Sequence, residues 1–226
     1  MTSRSLWVVI AAYHEETVIG GVIAGVRAAG YPVVVVDDGS TDGTADAAEA
    51  AGAIVVRHPI NLGQGAGLQT GIEYALSAGA ETIVTFDADG QHRVSDIAVL
   101  AAALEKNNAD FALGSRFLGD TLNQPLSRRL TLKLATWFTR LSVGISITDT
   151  HNGLRGMTRR GAQHIKLRQN RMAHASEILH QVAASGLKYV EVPVTIVYSE
   201  YSLAKGQKLS DALTILLDLF ARRLHR

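Results

Sequence analysis

The stretch "PVVVVDD", residues 32–38, constrains the fold more than any other part of the chain. Successive side chains of a strand point to opposite faces of its sheet, so four valines in a row present stiff, apolar groups to both faces. Such a strand has to be covered on both sides. Comparable runs recur as "LWVVIAA", "AIVVRH", "ETIVTFDAD", "ADFALGSR" and "KYVEVPVTIVY". Ala-rich stretches of helical character separate the early ones, at residues 15–29, 42–51, 63–77 and 95–106. This alternation predicts an α/β fold, a mostly parallel sheet flanked by helices.

With 226 residues, 47% of them hydrophobic, the chain can bury one sizeable core, and it reads as a single domain over residues 1–226. The pattern changes after Arg116. A loop to Pro125 leads to an amphipathic helix expected at residues 126–143, the polar segment "TDTHNGLRG", two more helical stretches and a last strand. A terminal helix after Gly206 would form a C-terminal helical extension. Lys and Arg number 22 against 21 Asp and Glu, which leaves no global attraction to nucleic acid or acidic surfaces. Any electrostatic function is therefore local. The absence of cysteine excludes a disulfide framework, a thiol nucleophile and a thiolate metal site, and it fits a cytoplasmic location. The apolar run near the start meets charge too early for a signal peptide, and no window offers roughly 18 uncharged apolar residues. The chain is not expected to cross a membrane.

In open sheets of this kind the ligand crevice lies beyond the carboxyl ends of the strands, and the polar clusters fall there. "TFDADGQH", residues 85–92, carries Asp87 and Asp89, which alternation along an extended segment would send the same way. Two like charges that close call for a cation, and an oxygen-only set completed by Gln91 suits Mg2+ or Mn2+. "VVVVDDGSTDGT" puts Asp37 and Asp38 at a strand end, where either can accept a hydrogen bond from a nucleobase or a ribose hydroxyl. The turn behind them can cap the next helix through Thr41 or Asp42. "NLGQGAGLQTG" lacks the Lys-Ser/Thr ending of a P-loop, so its glycines read as close-packing residues at a helix start.

Taken in order, "VVIAAYHEE", "VVVVDDGSTDGT", "NLGQGAGLQTG", "VTFDADGQH", "LGSRF", "DTHNGLRG" and "YVEVPV" resemble the family-2 glycosyltransferases, most nearly the dolichyl- or polyprenyl-phosphate mannosyl- and glucosyltransferases. The resemblance spans residues 6–194. It implies a GT-A (Rossmann-like) fold, a nucleotide-sugar donor such as GDP-mannose or UDP-glucose, Mg2+ or Mn2+, inversion at the anomeric carbon and a lipid phosphate acceptor. It also implies a nucleotide-sugar-binding half, residues 1–115, and an acceptor-binding half, residues 116–226. By matching position, Ala11, Tyr13 and Glu15 lie where the family holds the nucleoside, and Asp38 where it binds the base. Asp87 and Asp89 belong to the same donor site and, with Gln91, match its metal and diphosphate seat. Arg116 and Arg128 match basic residues that face the acceptor phosphate, with Arg129 and Arg155 in the same set. Asp89, Arg116 and Arg128 are the expected catalytic residues. His92 is read as a contact to the departing phosphate, while His151, His174 and His180 share no metal-ligand spacing.

Departures from the family pattern are His14 where relatives carry Asn, Gln64 where they carry Lys, and "NGLR" in place of "SGFR" around Asp149, Asn152 and Arg155. "YSLAKGQKL" replaces a basic "G-x-S-K" and offers Lys205 and Lys208 for phosphate contact. A lipid acceptor implies peripheral contact with the cytoplasmic face of a membrane. Leu130, Leu134, Phe138 and Leu141 share one helical face; Leu213, Leu217, Phe220 and Leu224 share another, beside Arg222, Arg223 and Arg226. Both faces also suit core packing, and the second suits packing in a homo-oligomer. Competing functions are transfer to a saccharide hydroxyl with Asp149 as the nearest carboxylate base, nucleotidyl transfer to a sugar phosphate, and a non-catalytic nucleotide-binding module.

Overall fold

The valine run forms β2, Val33–Asp37, and all of it is buried. A computed structural model describes residues 5–122, 129–130, 132–133, 136, 145–170, 173–199 and 201–202. Beside β2 lie β1 (Leu6–Ala12), β3 (Ile54–Arg57) and β4 (Thr82–Thr85), and the sheet continues through β5 (Phe111–Leu122), β6 (Arg155–Thr158) and β7 (Tyr189–Val197). The seven strands run in the order β3-β2-β1-β4-β6-β5-β7. All pairings are parallel except those of β6, which is antiparallel to both β4 and β5.

Helices cover both faces, as a strand buried on both sides requires. On one face Val33 and Val35 join Val8 and Ile10 beneath α1 (Ile19–Ala28) and α4 (Ser95–Asn107), meeting Ile23, Val26, Ile97 and Leu100. Val34 and Val9 point the other way, toward Leu68 and Ile72 of α3 (Gln64–Ser77). That second face is extended by α5 (Arg159–His164) and by Ile178 and Val182 of α6 (His174–Ser185), while α2 (Thr44–Ala50) packs beside α1. Each fully buried aliphatic side chain is worth about 1.5–3 kcal/mol relative to exposure.

Three local expectations change. The strand over "ETIVTFDAD" stops at Thr85, so Asp87 and Asp89 sit in the turn beyond it and not on one extended segment. The loop expected after Arg116 is instead the second half of β5, which follows β7 to Leu122 across a register irregularity between Ser115 and Asp120. β6 is a strand that no apolar run announces, since its residues are Arg-Gly-Met-Thr. It exists because β4 and β5 each present it a hydrogen-bonding edge. Of the helix expected at 126–143, residues 129, 130, 132, 133 and 136 are described and helical; the terminal helix lies outside the described residues.

The glycines of α3 act as close-packing residues. A Cβ on Gly67 would lie 2.9 Å from the Ala11 Cβ, so the helix rests directly on β1 only because the side chain is missing. Replacing Gly67 with Val is expected to cost about 1–3 kcal/mol through overpacking, and Ile72→Ala about 2–5 kcal/mol through the cavity it leaves. Urea unfolding measures both, and an unchanged midpoint for Gly67→Val would reject the contact between α3 and β1.

Candidate active site

The carboxyl ends of β1, β2 and β4 open into a cavity of about 570 Å³. Its first wall is the loop after β1, held by the loop after β2. His14 has a φ of 54°, a left-handed conformation that Asn, Asp and His tolerate better than most residues. Its N–H donates to Ser40 Oγ at 3.0 Å and its ring pairs with the Thr41 hydroxyl at 3.1 Å, while Tyr13 stacks on that ring with centroids 4.0 Å apart. The Glu15 N–H donates to Thr44 Oγ1, and its Oε2 accepts from the Tyr201 hydroxyl, both at 2.8 Å. The cap position of α2 is Gly43, with no side-chain cap hydrogen bond; Asp42, one residue before it, accepts from the Thr44 N–H, and Thr41 serves His14.

Of the two acids at the end of β2, Asp38 lines the cavity. Asp37 accepts from the Ser40 N–H within its own turn. The Asp38 carboxylate is committed to the protein: Oδ1 meets His58 Nδ1 at 2.7 Å and the Leu62 N–H at 3.0 Å, and Oδ2 accepts from the Gly63 N–H at 2.6 Å. His58 in turn reaches Thr70 Oγ1 of α3 at 3.0 Å. Asp38 therefore fixes the loop that delivers Asn61, Gly63 and Gln64 to the cavity rim.

Asp87 and Asp89 lie on the floor, and their environments push them apart. The recessed position of Asp87 favours its neutral form, but His92, Arg155 and His174 outweigh that and hold its carboxyl below the usual range. His92 Nε2 lies 2.9 Å from Asp87 Oδ2, and its ring packs edge-on against Phe86. The opposite side is closed by Gly153, where a Cβ would collide with the Asp87 carboxylate. At Asp89 the support from Gln91 and His92 does not outweigh the opposing effects. Burial, followed by the negative charge of Asp87, raises it to about 6. Its oxygens accept from the Gln91 N–H at 3.1 Å and the Gln91 side-chain amide at 2.7 Å.

The far wall carries two buried arginines in different states. Arg116 donates from its N–H and from Nε to Asp149 Oδ2, the latter at 2.6 Å, and from its terminal nitrogens to the Tyr198 hydroxyl and the His151 carbonyl. Burial opposes its charge, yet Asp149 and Tyr198 raise its pKa. Arg155, 4% exposed, has no side-chain hydrogen bond or ion pair among the described residues, and its Nη1 is buried without a partner there. Burial lowers it to about 10 in spite of Asp87 and Asp149. It remains a cation near neutral pH.

The structure thus brings Ala11, Tyr13, Glu15, Asp38, Asp87, Asp89, Gln91, Arg116 and Arg155 to one cavity. Arg129 is exposed and is not among the lining residues; Arg128, Lys205 and Lys208 lie outside the described residues. His92 departs from the reading as a phosphate contact, because its side chain is turned inward onto Asp87. His58, Tyr201 and the Asp149–Tyr198 clamp on Arg116 were not anticipated. His58 stands just past the end of β3, where the rule for strand ends could have found it; Tyr201 is 186 positions from its partner and gave no signal. A larger groove of about 940 Å³ opens at the other end of the sheet, but its Asp110 and Arg160 pair with each other, and none of its buried side chains lacks a partner among the described residues.

The family model described as "Glycosyl transferase family 2" matches residues 7–166. The UDP-N-acetylglucosamine–dolichyl-phosphate N-acetylglucosaminyltransferase of Methanococcus voltae is 30% identical over 91% of this chain and 91% of its own. The polyprenol monophosphomannose synthase of Mycolicibacterium smegmatis is 29% identical over 94% of this chain and 85% of its own. Among solved structures, the glucosyl-3-phosphoglycerate synthase of Mycobacterium tuberculosis in complex with Mn2+ and uridine-diphosphate-glucose matches with a TM-score of 0.73, covering 97% of this chain and 79% of that one. At 18% identity the likeness is one of fold: helices around a mostly parallel sheet of GT-A type.

Asp89 binds its proton more tightly in the folded chain, at about 6, than the reference 3.8 expected when unfolded. Its contribution to stability is therefore complete below the lower value and lost as pH rises through the upper one. With a chelator present, Asp89→Asn should melt progressively higher than the parent as pH rises from about 4 to about 7. A difference in melting temperature that stays constant over that range would contradict the raised carboxyl.

Proposed function

We propose that this chain, which belongs to glycosyl transferase family 2, moves a hexose with inversion from a nucleotide sugar to a polyprenyl or dolichyl phosphate. The observation that carries this reading is the pair of opposed carboxylates, Asp87 and Asp89, on the floor of a cavity at the strand ends. Support for the acceptor comes from relatives named for dolichyl phosphate and polyprenol. In this reading Ala11, Tyr13, Glu15 and Asp38 face the nucleoside. Residues up to 115 serve the donor, and those beyond serve the acceptor.

A divalent cation, Mg2+ or Mn2+, fits the donor set. Asp87, Asp89 and the Gln91 carbonyl oxygen are hard ligands, and the destabilised charge of Asp89 is what a cation would relieve. Among the described residues no three acidic or histidine side chains form a complete cage, so phosphate and water oxygens would supply the remaining positions. Such an ion stabilises the negative charge that builds on a departing nucleoside diphosphate.

A lipid monophosphate is already anionic near neutral pH and needs no general base. Transfer to a saccharide hydroxyl would need one, and Asp149, the expected candidate, is 4% exposed, with both oxygens accepting from Arg116 and His151. That commitment favours the phosphate acceptor. Arg116 on the cavity wall, held by Asp149 and Tyr198, faces the acceptor phosphate together with Arg128 and Arg129. Among the described residues no helix is long and apolar enough to cross a membrane. Leu130 is 62% exposed, which suits peripheral contact with the cytoplasmic face.

The test is a panel of UDP- and GDP-sugars with Mg2+ or Mn2+, with and without a short polyprenyl phosphate, reading released nucleoside diphosphate. Release should depend on the lipid phosphate and fall roughly a hundredfold or more in Asp89→Ala. Activity with a saccharide but not with lipid phosphate would reject the acceptor, and a fully active Asp89→Ala enzyme would reject the metal seat.

A further inference from the structure

Arg155 lies on β6 directly opposite Thr85 of β4, two residues before Asp87 on the neighbouring strand. The Thr85 hydroxyl donates to the Gly153 carbonyl at 2.6 Å, which ties the segment leading into β6 to the strand that leads to the acids. Arg155 lines the cavity, and its strongest favourable charge interaction is with Asp87, ahead of Asp149. Yet it forms no ion pair and its Nη1 is an unmet donor among the described residues. A buried guanidinium without a partner is costly, and a fold that keeps one leaves it available for an anion.

The second line of argument is the charge of the site. Two carboxylates and one divalent cation cancel, so a diphosphate that gains negative charge as it departs needs a further positive group. Among the described residues, Arg116 and Arg155 are the Lys or Arg residues that line the cavity. Arg116 is already neutralised by Asp149 at 2.6 Å. The first residues of α3 and α6, Gln64 and His174, also face this space, and helix N-termini favour anions.

We propose that Arg155 is the guanidinium that binds the phosphates of the donor's departing nucleoside diphosphate, and so belongs to the donor side of the site, not to the acceptor set its sequence position suggests. The assignment rests on the glycosyltransferase reading above. Its chemistry is a charge-assisted N–H to phosphate-oxygen bond from a guanidinium that lines the cavity and has no hydrogen-bond partner among the described residues.

The test is calorimetric titration of the full chain with UDP and with GDP in the presence of Mn2+, for the parent, Arg155→Gln and Arg155→Lys. Competition by uridine or guanosine measures the nucleoside alone, and the KM for polyprenyl phosphate is read in parallel. Arg155→Gln should weaken the diphosphate about tenfold or more, leaving the nucleoside and the acceptor KM unchanged. Arg155→Lys, which keeps the charge and loses the fork, should weaken it less, and it carries the test if the glutamine variant does not fold. Unchanged diphosphate affinity with a raised acceptor KM would overturn the proposal and return Arg155 to the acceptor. Failure of the parent to bind either nucleotide would overturn the donor reading and this assignment with it.

Discussion

The Asp87 carboxylate is partly withdrawn from water at the cavity wall, and the protein supplies part of the stabilisation that water would otherwise give. His92 hydrogen-bonds it, while His174 and Arg155 add positive potential. Gly153 makes room for it by having no side chain. These residues come from three places in the chain, and the reversed strand β6 supplies one of them. By running antiparallel to β4, β6 starts at the carboxyl end of β4 and brings Gly153 and Arg155 to the acids. A parallel strand in the same slot would begin at the other end of the sheet.

The neighbouring Asp89 shows the other half of this arrangement. Burial raises the proton affinity of the second acid, and the fixed negative charge of its supported neighbour raises it further. The site is built unbalanced. A pair of equally solvated carboxylates would hold a cation with less to gain from it.

Much of this was legible in residues whose chemistry is local. Four successive valines dictate a doubly covered strand, and the acids after β2 and β4 follow from where such strands end. β6 was not legible, because four residues without an apolar pattern form a strand only when two edges are waiting for them. Nor was the state of each charged group. Arg116 and Arg155 look alike in sequence, and only the fold separates one clamped by Asp149 and Tyr198 from one left unpaired. His14 is a departure from the family that the backbone makes intelligible, since a φ of 54° suits Asn and His for the same reason.

The contact between Tyr201 and Glu15 joins the segment after the last strand to the loop after the first. It gives an acid on the cavity wall a hydrogen-bond partner from the protein itself. A ligand hydroxyl reaching Glu15 would take the place of the Tyr201 hydroxyl, one hydroxyl for another. The carboxylate can therefore serve the segment after the last strand or a ligand hydroxyl with little difference in its own hydrogen bonding.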